Sequence, residues 1–343
     1  MMSFRCLAIC LSILWAVVAP ATAADLQQLS GRTMGTTWSV RLMMPSGDSL
    51  EQLQRGIQTE LDRVDGQMST YQPQSDLSRF NRAPAGSWQV LPPELFSVLQ
   101  HALQLASNSG GAYDPTVGPL VNLWGFGPDQ RPRQPPTAEA IGQAKVRVGW
   151  WKLKLDPAGR RAWQPGGIYV DLSAVAKGYG VDQVGRYLQR MGVASWLVEV
   201  GGELKAHGRK PDGTPWRVGI ERPDAAAGAV GNADELVRTI PLDDRAIATS
   251  GDYRRVFEDN GQFYSHHIDP RSGWPVPHEV ASISVLADDC VQADPLGTTL
   301  SVLGAERGMA YARRYDLAVL MLVRTAQGFE QRMSPAFARQ LQP

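Results

Sequence analysis

Apolar positions along the chain follow two rhythms, and these place most of the framework. Leu50, Leu53, Ile57, Leu61, Val64 and Met68 step by three and four, which predicts an amphipathic helix capped near Ser49. Pro92-Pro93 opens a second helix running to Gly110-Gly111, and a third is expected from about Ser173 to Met191. Strand-like runs occur at Thr36–Met44, Gly167–Asp171, Trp196–Val200, Trp216–Ile220, Leu236–Pro241 and Ala246–Thr249. The end repeats the alternation: a strand Val280–Leu286, a helix ending at Gly304, a helix to Arg314, and a strand Leu317–Val323. Gly125–Pro136 reads as an exposed loop, and Ala225–Gly231 as an insertion loop rather than a domain boundary. Without the regular βαβ rhythm of a doubly wound sheet, the expected class is α+β, with two lobes packed into one compact domain.

Composition narrows the picture less than the N-terminus does. The 343 residues carry 34 basic and 34 acidic side chains, a balance that argues against a nucleic-acid binder and supplies no polybasic patch for anionic lipid. "MMSFRCLAICLSILWAVVAPATAADLQ" has one Arg, an apolar run from Cys6 to Ala19, and Ala21-Thr22-Ala23. That is the pattern of a secretory signal over residues 1–23, cleaved after Ala23 or Ala24, and the run is short for a bilayer span. A lipoprotein reading would use Leu7-Ala8-Ile9-Cys10, but Ile9 is bulky and the apolar run continues past the cysteine. A soluble exported protein is preferred. After cleavage Cys290 is the remaining cysteine, so no internal disulfide is available. With Asp288 and Asp289 beside it, Cys290 reads as a small buried hydrophobe rather than a reactive thiol.

Five glycine-rich turns stand beside acids or aromatics: "GGAYDPTVGPLVNLWGFG" (110–127), "DLSAVAKGYG" (171–180), "VEVGGELKAHG" (198–208), "ATSGDYRR" (248–255) and "YSHHIDPRSGWPV" (264–276). One such turn is ordinary backbone punctuation; five in one chain point to a ligand pocket. None is a P-loop or a Gly-x-Gly-x-x-Gly dinucleotide turn. In "CVQADPLGTTLSVLG" Asp294 and Thr298 stand four apart on one helix face, with the Gly297 carbonyl nearby. This suits a hard cation such as Mg²⁺, which often takes one or two carboxylates. The same residues equally fit Asp294 as an N-cap before Pro295 at the first helical position. His266 and His267 lack the partners for zinc and the elbow of a serine hydrolase. General base, phosphate contact or plain structure remain open for them.

Taken jointly, "MSTYQPQSDLSRFN" (68–81), "GAYDPTVGPLVNLWGFG", "DLSAVAKGYG", "ATSGDYRR", "SHHIDPRSGWPV" and "ADPLGTTLSVLG" resemble the ApbE family of FAD:protein FMN transferases, over a span from Met34 to Gly304. The resemblance implies a flavin transferase domain over residues 24–343, with FAD as substrate and Mg²⁺ as cofactor. The FMN half would pass to a threonine hydroxyl of an acceptor protein through a phosphoester bond, releasing AMP. The implied acceptor is an exported domain of a membrane redox protein, and the location periplasmic. By resemblance, metal ligation falls on Asp294 and Thr298, with main-chain oxygen from Ala174 and Gly297. Flavin-nucleotide contacts fall on Met34, Tyr71, Ala112, Tyr113, Asp114, Asp171, Lys177 and Ile268, and the base for the threonine on His266. The chain departs from the family pattern at Pro295, Glu199, Glu203 and His267. Two other readings of the same residues are an Mg-dependent FAD pyrophosphatase yielding FMN and AMP, and a flavin carrier without catalysis.

Overall fold

The computed structural model describes residues 24–45, 49–129, 133–223, 236–252 and 255–341. The predicted signal segment and the Ala225–Gly231 loop lie outside the described residues. Eight strands stand side by side in chain order: Ala24–Thr33, Thr36–Pro45, Trp196–Val200, Glu203–His207, Ala246–Gly251, Val280–Ala287, Ala318–Thr325 and Gly328–Met333. Every neighbouring pair is antiparallel. Trp196–Val200 forms the strand its sequence predicts, and the strands at Thr36, Ala246, Val280 and Ala318 agree with the pattern to within two residues at each end. Ala24–Thr33 carries little apolar signal because it is an edge strand whose Leu26 faces solvent.

Alternation divides the sheet into two buried faces. Trp38, Val40, Leu42, Trp196, Val198 and Val200 point toward the helices Leu50–Met68 and Ala176–Arg190. Further along, Ala248, Ile283, Val285, Val319 and Met321 pack on the helix Cys290–Arg314. The opposite face buries Leu197, Ile247, Leu286 and Leu320 under the hairpin Trp216–Glu221/Leu236–Leu242 and Phe337. A second apolar body joins the helix Pro93–Asn108, the start of Ala176–Arg190, and residues around Ile168–Val175. Met34, at φ 45° in the turn joining the first two strands, packs against both bodies. The two packed lobes expected of an α+β chain are thus the eight-stranded sheet with its helices and this second apolar body, joined through Met34.

Three local readings need correction. Gly167–Asp171 is not a strand; instead the Asn81 side chain brackets Val170, donating to its carbonyl at 2.8 Å and accepting from its N–H at 2.8 Å. One amide thus satisfies what a neighbouring strand would have paired. The third helix begins at Ala176 rather than Ser173. The helix read as starting at Pro295 begins at Cys290, so Pro295 lies inside it and Asp294 does not cap it. Pro295 has no N–H for the Val291 carbonyl, and the His101 imidazole faces that carbonyl instead. Gly304, at φ 75°, breaks the long helix where the sequence placed a stop.

Candidate functional site

Beside the sheet lies a cavity of about 280 Å³, where seven separate stretches of chain meet, Tyr71 among them. Ala112, Tyr113, Asp114, Val117, Val121 and Phe126 come from the glycine-rich turn at 110–127. Asp171, Ser173 and Ala174 come from the turn leading into the Ala176–Arg190 helix, Lys177 from its first turn, and Gly201 and Glu203 from a tight hairpin. Thr249, Ser250 and Gly251 close one side, and Arg255 and His266 to Ile268 another. Asp294 and Thr298 line the cavity from the long helix, as their four-residue spacing predicts.

Two helices are locked together by exchanged carboxylates. Asp294 Oδ2 accepts from the Gly178 N–H at 2.9 Å, near the start of Ala176–Arg190. In return Asp182, on that helix, accepts from the Cys290 and Val291 N–H groups at 3.0 and 2.9 Å, at the start of the long helix. Each helix thus receives its N-terminal acceptor from the other, which satisfies donors that have no intrahelical partner. The approach is close: a Cβ at Gly178 would sit 2.4 Å from the Cys290 carbonyl and 2.8 Å from Asp294 Cβ. Asp294 is a cap, as its sequence suggested, but of a different helix.

The second Asp294 oxygen faces the cavity and a charge cluster. Lys177 Nζ donates to Glu203 Oε1 at 2.7 Å and lies 3.5 Å from Asp294 Oδ1. Burial pushes the Asp294 and Glu203 carboxyls above the ordinary carboxylate range, opposed by Lys177. Burial alone would depress Lys177, but Asp294 and Glu203 outweigh it and hold the ammonium charged. Two buried carboxylates therefore share one lysine, and Glu203 Oε2 has no hydrogen-bond partner among the described residues. With Oδ2 given to Gly178 and Lys177 held closer to Glu203, Asp294 Oδ1 is the hard oxygen that a divalent cation would take. Because Gly178 gives its N–H to Asp294, the Ala174 carbonyl loses that helical partner. Thr299 and Ser301 turn their hydroxyls back onto helix carbonyls, whereas Thr298 lines the cavity. The donor set of Asp294, Thr298 and Ala174 fits Mg²⁺. No group of three or more His, Cys, Asp or Glu side chains suited to a metal occurs among the described residues. Water and substrate oxygens would then have to complete an octahedron.

Across the cavity, His266 is poised as a neutral imidazole. Its Nδ1 lies 3.3 Å from the Arg255 carbonyl, which can only accept, so Nδ1 carries the proton and Nε2 keeps its lone pair. Burial, and then the Arg255 charge, push its pKa down to about 4. The His267 ring packs at 4.1 Å between centroids, and Phe126 meets His266 edge-on. His267 is buried, with Nδ1 unpartnered among the described residues, and burial keeps it neutral.

Of the sequence-predicted residues, Tyr71, Ala112, Tyr113, Asp114, Asp171, Ala174, Lys177, His266, Ile268, Asp294 and Thr298 all line this cavity. Two do not. Met34 packs between the apolar bodies, and Gly297 lies behind the wall, its carbonyl accepting from Ser301 Oγ at 2.9 Å. A Cβ at Gly297 would stand 2.3 Å from Ser250 Oγ, so this glycine lets the helix approach the wall. Asp114 reaches the cavity, but its oxygens hold the turn, accepting from the Thr116 N–H and hydroxyl and the Trp150 N–H. Asp171 likewise accepts from the Ser173 N–H at 2.8 Å. Sequence reasoning missed Ser250, Arg255 and Glu203, although all three stand in the quoted glycine-rich motifs. Cys290 is a buried free thiol, as read from the sequence, but burial and then Asp182, Asp294 and Glu203 push it up rather than its neighbours Asp288 and Asp289.

Comparison with known proteins points one way. The model of the ApbE family matches residues 34–321. The FAD:protein FMN transferase of Vibrio cholerae is 42% identical over 320 residues, covering 92% of this chain and 92% of that protein. That of Haemophilus influenzae is 40% identical, covering 91% of this chain and 90% of its own length. The crystal structure of the apo Pseudomonas stutzeri flavinyl transferase ApbE superposes with a TM-score of 0.84 at 40% identity. It covers 93% of this chain and 97% of that one.

Proposed function

The chain belongs to the ApbE family and transfers the FMN half of FAD to a protein acceptor, and from that premise we propose how its cavity carries out the transfer. FAD occupies the cavity, its flavin against the apolar wall of Val117, Val121, Phe126 and Ile268 with the Tyr71 and Tyr113 rings. The diphosphate lies toward Lys177 and Asp294. The acceptor is a threonine whose hydroxyl oxygen attacks the FMN phosphorus. A phosphoester bond forms, the bridging P–O bond breaks, and AMP leaves with that oxygen. His266 Nε2 takes the hydroxyl proton, a role that requires the imidazole to be neutral and its other nitrogen occupied.

Asp294, Thr298 and the Ala174 carbonyl would hold Mg²⁺, which supplies charge neutralisation to a diphosphate under attack. The residues of this chain supply the rest: Lys177 as a fixed cation, the apolar wall as a barrier to water, His266 as proton acceptor. The single observation that carries the reading is the convergence of a buried acid pair and a neutral imidazole on one cavity.

We propose further that the protein is exported, with residues 1–23 removed, and that it acts on an exported domain of a membrane redox protein in the periplasm. The sheet pairing runs from Ala24 onward, so cleavage after Ala23 leaves every pair intact and cleavage after Ala24 removes one. Mass spectrometry of the mature N-terminus tests this and detects any lipid. The function is tested by incubating the protein with FAD, Mg²⁺ and a candidate acceptor domain. Flavin fluorescence should follow the acceptor through a denaturing gel and vanish when the acceptor threonine is replaced by alanine. FMN and AMP accumulating with an unlabelled acceptor would mean hydrolysis instead.

A further inference from the structure

We propose that Glu203 is a positioning residue that draws the Lys177 ammonium away from Asp294, keeping the Asp294 carboxylate open to the divalent cation. This rests on the reading that Asp294 holds that cation. Asp294 Oδ2 is committed to the Gly178 N–H, so Oδ1 is the oxygen left for a metal. The positive charge beside Oδ1 is Lys177 Nζ, at 3.5 Å, the long end of a hydrogen bond. Glu203 Oε1 takes the same nitrogen at 2.7 Å. Lys177 precedes Gly178 in the chain, so its backbone cannot leave the neighbourhood of Asp294; its side chain alone can be steered.

The hairpin that presents Glu203 is built to do this steering. Glu203 opens its strand opposite Val200, and the intervening turn is held by Glu199 Oε1, which accepts from the Gly202 N–H at 2.7 Å. Gly201, at φ 60°, leaves room for the lysine stem: a Cβ there would meet Lys177 Cδ at 3.1 Å. The same turn thus guides the stem and holds the head of the lysine. Without the Glu203 charge, Asp294 becomes the nearest anion, and the ammonium would close on Oδ1 and compete with a dication for it. This gives a function to an acid that the family comparison of sequences left unassigned.

The experiment is a double-mutant cycle read by Mn²⁺ binding, using electron paramagnetic resonance of the free ion on the mature chain without FAD or acceptor. Mn²⁺ should bind the wild-type protein, and D294N should abolish that binding. Glu203→Gln should weaken binding about tenfold or more where Lys177 is present. In a Lys177→Met background the same change should cost less than about threefold, because there is no ammonium to release. An equal loss in both backgrounds would make Glu203 a direct partner of the cation and overturn the proposal; so would no loss in either. Should the Gln variant fail to fold by circular dichroism, Glu203→Asp, which keeps the charge but shortens the reach, enters the same cycle with the same criterion. A wild-type chain that binds no Mn²⁺ would instead overturn the cation reading of Asp294.

Discussion

His266 should remain a neutral, Nδ1-protonated imidazole well below the pH at which ordinary histidines charge. Its pKa is pushed down to about 4, chiefly by burial and secondly by Arg255. At pH 5.5 a free imidazole of pKa about 6.5 would be roughly one-tenth neutral, whereas His266 should be more than about nine-tenths neutral. The tautomer is equally specific, since the Arg255 carbonyl requires the proton on Nδ1. The assay is a ¹⁵N titration of the histidine rings without metal or FAD, the His266 signal being assigned by its loss in His266→Gln. Arg255→Ala removes the neighbouring charge and should move the titration upward, toward the ordinary range. The acid limb of kcat/KM should follow that movement, because kcat/KM reports the free enzyme. His266→Ala should cost about 10²–10⁴ in rate, the span of general-base contributions. A ring that titrates near 6.5, or whose proton sits on Nε2, would refute both the desolvation argument and the assignment of Nε2 as base.

Other consequences follow from the locked helices. Chelation by EDTA should abolish transfer, and Asp294→Asn should raise the Mg²⁺ concentration needed for half-maximal transfer; unchanged activity would remove the cation from Asp294. Asp182→Ala should lower unfolding stability by about 2–5 kcal/mol in urea, since it strands the Cys290 and Val291 backbone donors, while Lys205 keeps its pair with Asp289. Gly178→Ala should weaken stability and metal binding together, because the new methyl must push the long helix away from the cavity.

Local pattern recovered the parts of this molecule whose causes are local. The helix Leu50–Met68 appears with its Ser49 cap because both the stripe and the cap lie within adjacent turns. Asp294 and Thr298 share a face because helical geometry fixes it. What stayed hidden was decided by partners far along the chain. Asp182 looks like any polar position in "KGYGVDQ", yet its acceptors serve a helix start 108 residues on. Asp294 reads as the cap of its own helix, and the structure moves that cap to a donor 116 residues away. The Gly167–Asp171 run has strand-like residues, but its backbone is paired piecemeal, by the side chains of Arg147, Gln164 and Asn81 and by the Pro115 carbonyl, which no alternation can announce.

In the same way, residues brought together by the family resemblance have structural duties as well as places on the cavity wall. Asp114 and Asp171 are nucleotide contacts by resemblance, and both line the cavity; both Asp114 oxygens and Asp171 Oδ1 also hold turns that bring Tyr113 and Ala174 to the wall. Gly297, a metal ligand by resemblance, is also the space that admits Ser250. Glu203, left without a role, sits at the centre of the charge cluster. A motif records which residues must be present together. It does not separate those that touch the substrate from those that hold the turn beneath it. That distinction rests on hydrogen bonds, and here they divide the motif residues into a wall, a frame, and a cluster in which the Glu203 and Asp294 carboxyls share the single ammonium of Lys177.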